Sequence, residues 1–116
     1  MESILTSIKK LLSIAEDCTD FDTDVIIHIN SVFDDLRQIG VGPPEGFYIE
    51  DASVNWDEYI LSPVKYQRVK SYMYLKLRLI FDPPQNSAHL ASIKEQIREL
   101  EWRLNFDAEN ESATTS

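Results

Sequence analysis

Cysteine is nearly absent from this sequence: Cys18 stands alone, so neither an internal disulfide nor a cysteine-based zinc site can form within the chain. A reducing, cytosolic setting suits such a composition. Glycine is scarce too, limited to Gly40, Gly42 and Gly46, and their order matches no GxGxxG, GxxxxGK or GxSxG turn. Phosphate-cradling loops are thereby excluded. The two histidines, His28 and His89, lie in no HxxxH, HExxH or paired Cys/His arrangement and read as structural or surface residues. The acidic stretch DCTDFDTD lacks the central glycine and the terminal glutamate of a calcium loop. No catalytic residue, metal or cofactor is expected.

Long apolar runs are missing as well. The most apolar stretch is broken by Lys76 and Arg78, so nothing approaches the roughly 20 residues that span a bilayer. The N-terminus, MESILTSIKKLL, carries Glu2 ahead of its apolar residues and two lysines after them, the reverse of a signal peptide. Neither secretion nor membrane insertion is expected.

Basic residues are the next shortage, and the shortage is local. Twelve acids and one base, Arg37, lie between Glu16 and Glu58, whereas Lys65, Arg68, Lys70, Lys76 and Arg78 follow with no acid among them. The net charge of −9 opposes general affinity for nucleic acid, which depends on Lys and Arg displacing counterions from phosphate.

With 116 residues, 43% of them hydrophobic and 27% charged, the chain is sized and composed for one folded domain. Ile4, Leu5, Ile8, Leu11 and Leu12 recur on one helical face, which predicts a short amphipathic helix from residue 2 to about 13. Asp22 or Thr23 is expected to cap a second helix, carried by Val25, Ile26, Ile29, Val32, Phe33, Leu36 and Ile39 and stopped by Gly40. The segment VGPPEGFYIEDASVN predicts an irregular, contact-making loop in which Phe47 to Ile49 can run extended.

Asn55 then caps a turn bearing Trp56, Tyr59 and Ile60, and Ser62-Pro63 starts a third helix that runs to about Phe81. That helix is apolar nearly all round from Tyr72 to Phe81, as a central helix would be. After Asp82-Pro83-Pro84, Asn86 or Ser87 starts a fourth helix with the seam Leu90, Ile93, Ile97, Leu100 and Leu104, while Trp102 stands off it. The expected fold is all-α, a compact bundle of about four helices over residues 1–106 with a Pro/Gly loop between the second and third. A polar tail, residues 107–116, is expected to be mobile when the protein is alone.

Tyrosine, tryptophan and arginine dominate protein interfaces, and an acidic half beside a basic helix offers unlike surfaces. Head-to-tail contact between copies would satisfy both, closing into a ring when the rotation divides a full turn. Lys65, Arg68, Lys76 and Arg78 facing Asp34 and Asp35 are the candidate subunit contacts, and Phe47, Tyr48, Ile49 and Trp56 the candidate partner loop. Two other classes stay open: an acidic inhibitor that mimics DNA, against which the basic helix counts, and a small hydrolase or metal-dependent enzyme, for which no residue pattern speaks.

The order of elements, together with GFYIED, WDEYI, RLIFDPP and ELEWRLN, resembles the small head-to-tail connector (head-completion adaptor) proteins of tailed bacteriophages and prophages over about residues 1 to 106. The resemblance implies a ring, typically of twelve copies, beneath the portal protein, which extends the DNA channel and receives the next tail-side completion protein. It implies a location in the virion at the head-to-tail interface, after a stage in the host cytoplasm. DNA would slide past an acidic wall without specific binding. It further implies that the C-terminal segment, with Phe106, Asp107 and Glu109, engages the portal and orders on assembly.

Overall fold

The computed structural model describes residues 2–114, with side chains as far as Glu109. Four helices, α1 (Ile4–Leu11), α2 (Asp22–Gln38), α3 (Pro63–Phe81) and α4 (Ser87–Thr114), build it, with a single 3-10 turn at Trp56–Glu58. Among the described residues the one pairing of extended chain is an antiparallel bridge between Ser3 and Asn55. The all-α bundle expected from the sequence is what forms. None of the helices is long and apolar enough to cross a membrane.

Helix α3 is central, packing against α1, α2 and α4 as its apolar circumference requires. It starts where Ser62 Oγ accepts from the Lys65 amide and Pro63 takes the first turn. Val69, Met73 and Leu77 are fully buried along it. Helix α2 runs antiparallel to α3, with His28 set edge-on to Phe81 at one end and Asp35 level with Lys76 toward the other. Helix α4 is antiparallel to α3 as well, so that Glu101 meets Tyr72 and Asp107 meets Arg68.

Helix starts differ in who caps them. Ser3 Oγ accepts from the Thr6 amide at α1, and Asn86 Oδ1 accepts from the Ala88 and His89 amides at α4. At α2 the N-cap residue is Phe21 and no side chain caps it, which corrects the expectation for Asp22 and Thr23. The reason lies in α1. Lys9, although 3% exposed, keeps its charge satisfied: its ammonium donates to the Glu16 and Cys18 carbonyls and lies 2.8 Å from Asp22 Oδ1. Asp22 is drawn to this buried cation, because an uncompensated buried ammonium would be far costlier than an uncapped helix start.

The fourth helix overruns its expected end near Phe106 and continues to Thr114. Ala108 is partly buried against the core at Gly40, Asp107 pairs with Arg68, and Asn105 Nδ2 donates to the Ile39 carbonyl at 3.1 Å. Polar composition marks this stretch as tail, but nothing in it breaks a helix and these contacts hold it. The polar segment expected as a tail from Asp107 onward is thus helical to Thr114 and in contact with the bundle at Asp107 and Ala108; Thr115 and Ser116 lie outside the described residues.

Candidate functional site

The charge segregation of the sequence is largely undone in space. Because α2 and α3 are antiparallel, Lys76 Nζ reaches Asp35 Oδ2 at 2.7 Å while lying over the Tyr72 ring. Arg68 pairs with Asp107, and Lys70 with Glu2, whose carboxylate also accepts from the Tyr66 hydroxyl. Asp34 pairs with Arg37 one turn along its own helix. Asp34, Asp35, Arg68 and Lys76, expected as subunit contacts, thus have partners within the chain. Lys65 is half-buried and also engaged. Arg78, half-buried near the end of α3, is the candidate with no ion pair among the described residues.

What remains outside these pairs is mostly acidic. Of the twelve acids between Glu16 and Glu58, Asp22, Asp34 and Asp35 are paired, which leaves nine without a cation among the described residues. They occupy the loops on either side of α2, the first turn of α2 itself and the 3-10 turn. Ser53 holds the Asp51 carboxyl below the usual carboxylate range by donating through its hydroxyl and its amide.

The candidate partner loop turns mostly inward. Ile49 is 1% exposed, and its amide and carbonyl are both held by the side-chain amide of Asn30, at 2.8 and 3.0 Å. Trp56 is fully buried, stacked on Tyr66, with its indole N–H donating to Ser7 Oγ at 2.7 Å. Phe47 is half-buried and packs against the rings of Phe33 and Tyr59. Tyr48 alone of the four is widely exposed, at 67%. The expected partner surface is corrected accordingly: packing on Phe33 and the side-chain hydrogen bonds of Asn30, midway along α2, draw the other three inward. Tyr59 is itself buried, its hydroxyl has no partner among the described residues, and burial pushes its pKa up.

Two other surfaces are apolar and open. On α4, Trp102 and Phe106 stack with ring centroids 5.3 Å apart and point away from the bundle, 65% and 47% exposed. Phe106 is expected from the sequence to matter at the tail; its neighbour Asp107 is tied to Arg68, and Glu109 is exposed. At the start of α3, Leu61 and Val64 are exposed, and Leu61 lines a groove of ≈ 280 Å³ with Val41, Leu104 and Ala108 on its floor and Lys65 and Asp107 on its walls. Sequence reading missed Leu61 and Val64. Leu61 sits between two capped turns and belongs to neither helical period, which is the signal that could have marked it.

Among the described residues no group of three or more His, Cys, Asp or Glu is arranged to hold a metal ion. No curated protein and no solved structure matches the chain. A family model described as "Phage connector protein" matches residues 4–111, which takes in α1, α2, α3 and most of α4. The resemblance seen in GFYIED, RLIFDPP and ELEWRLN thus extends over nearly the whole chain, and the chain belongs to the phage connector protein family.

Proposed function

We propose that this chain is a structural virion subunit that assembles as a ring beneath the portal protein and joins the DNA-filled head to the next tail-side component. The family match over residues 4–111 carries this reading. Two unlike apolar surfaces on one small subunit support it, since a closed ring needs each copy to present two different faces. The nine unpaired acids support a channel role, because DNA gains no counterion release from an acidic surface. In this reading the protein works by fit and performs no reaction. The C-terminal segment around Glu109 remains the proposed contact with the portal.

Electron microscopy of purified portal rings mixed with the protein tests this directly. The expected result is an added ring of density on the tail side of the portal. Absence of binding at micromolar protein would overturn the reading.

The structure strengthens one alternative. Against a DNA mimic stands the basic helix, yet Arg68, Lys70 and Lys76 are neutralised by acids of the same chain, so the surface is more uniformly negative than the sequence suggests. A mimic would compete with DNA for DNA-binding enzymes in a gel shift. The connector reading expects no competition.

A further inference from the structure

Trp102 and Phe106 form a convex aromatic patch, and the groove beside Leu61 and Val64 is concave. Aromatic anchors exposed in a free subunit and a nearby hollow with an apolar floor and a polar rim are the two halves of a typical interface. Two copies of this chain could bring them together in two ways, and charge separates the two.

In a like-with-like contact, two α4 helices would cross antiparallel about the aromatic pair. With the centre at Leu104, Glu99 of each copy would lie opposite Glu109 of the other. Glu99 has only an exposed i,i+4 partner, Arg103, and Glu109 has no ion pair among the described residues, so like charges would meet at both ends. That arrangement is disfavoured.

A head-to-tail contact has no such conflict. The open side of α3 carries Val64, Gln67, Ser71, Tyr74 and Arg78 and no acid. If the α4 of one copy lies antiparallel along that side, with Phe106 at Val64, then Glu95 comes opposite the end of α3. Phe106 to Glu95 spans about 16 Å of helix and Val64 to Arg78 about 21 Å, a mismatch of roughly one turn that an arginine side chain covers. Arg78 has no ion pair among the described residues, and Glu95 has an exposed i,i+3 partner, Arg98.

We infer that the outward face of α4, through Trp102 and Phe106, docks onto Leu61 and Val64 at the start of α3 in a second copy of this chain, with Glu95 turned toward Arg78. The inference rests on the ring reading and names its subunit contact. Each copy offers one knob and one groove, so the contact is heterologous and propagates from copy to copy.

Cross-linking on purified portal rings tests it. In a Cys18→Ser background, Val64→Cys combined with Phe106→Cys is expected to give a ladder of disulfide-linked multimers on a non-reducing gel, and neither substitution alone should give one. Trp102→Ala with Phe106→Ala, and separately Leu61→Glu with Val64→Glu, should each lower ring formation at least tenfold while leaving the circular dichroism of the monomer unchanged. Rings of unmodified protein with no ladder in the double-cysteine variant, and normal rings in both surface variants, would sink the contact and leave the ring reading standing. Dimers from Phe106→Cys alone would show a like-with-like contact and overturn it. Loss of portal binding by single copies of the Trp102→Ala, Phe106→Ala variant, with Leu61→Glu, Val64→Glu unaffected, would assign the knob to the portal and overturn it as well. If the unmodified protein forms no ring on the portal, both readings fall.

Discussion

The segment from Val41 to Ile60 has almost no regular structure, yet Ile49, Trp56 and Tyr59 lie in the core and Phe47 packs on it. Helix α4 is regular throughout its described length, yet it turns Trp102 and Phe106 to solvent. Regularity and burial are therefore decoupled in this subunit. The irregular segment is held by specific polar contacts that a loop can make because its backbone is free: the Asn30 amide grips Ile49, the Ile4 amide donates to the Val54 carbonyl, and the Trp56 amide donates to the Glu2 carbonyl. A helix satisfies its own backbone and so can leave a whole face unpartnered at no hydrogen-bonding cost. That leaves α4 with an open face and makes the loop an internal brace.

The contrast between the two tryptophans gives the largest expected effect. Trp56→Ala removes a fully buried ring, its stack on Tyr66 and its hydrogen bond to Ser7, and should destabilise the fold by about 3–5 kcal/mol. Trp102→Ala removes an exposed ring and should change stability by no more than about 0.5 kcal/mol. Urea denaturation followed by circular dichroism distinguishes them, and equal losses for the two variants would break the comparison.

Glycines within the loop sharpen it further. Gly42 has φ +88°, and a Cβ there would sit 2.7 Å from the Tyr59 ring and hydroxyl. Gly46 has a similar φ, +96°, but the nearest atom to its Cβ would be Arg37 Cδ at 3.6 Å. Both Gly→Ala changes incur left-handed backbone strain of about 1–2 kcal/mol. Only Gly42→Ala must also displace a buried aromatic. A thermal melt should therefore place Gly42→Ala well below Gly46→Ala, and coincident melting temperatures would show that Tyr59 is not pinned as it stands.

Much of this was legible beforehand for a physical reason. Helix periods and stop signals are local, and Ser62-Pro63, Asn86, Gly40 and Asp82-Pro83-Pro84 act where the sequence puts them. The candidate surfaces were less legible because they depend on which residues meet across the bundle. Nothing near Asp35 in the sequence announces Lys76, and nothing near Arg68 announces Asp107. Likewise Lys9 follows the apolar residues of α1 like an ordinary solvated lysine, and only the fold of residues 13–22 reveals that it is interior.

Asn30 tests whether the brace is polar or merely apolar. Asn30→Ala removes both hydrogen bonds to Ile49 and leaves a buried residue's backbone without partners, a loss of about 1–3 kcal/mol. Hydrogen exchange separates the two ideas. The Ile49 amide should lose protection far more than amides of α4, and uniform loss across the molecule would mean that the clamp only reports global stability.

The smallest effect is expected at the point where the brace meets the N-terminus. The Lys70 ammonium, and after it the Tyr66 hydroxyl, donate to the Glu2 carboxylate and hold its pKa below the ordinary 4.5. A depressed acid contributes stability that is fully present above its unfolded pKa and is lost as pH falls through the folded one. The contribution of this pair should therefore be complete above about pH 4.5 and fade in more acidic solution. Its size is limited, since the Glu2 side chain is 39% exposed and solvent screens the pair. Glu2→Gln should lower the melting temperature slightly at neutral pH, and the difference from the unmodified protein should close on acidification. A difference that persists unchanged at low pH would mean that the charge of the Glu2 carboxylate is incidental, since the backbone carbonyl that accepts from the Trp56 amide is the same in both proteins.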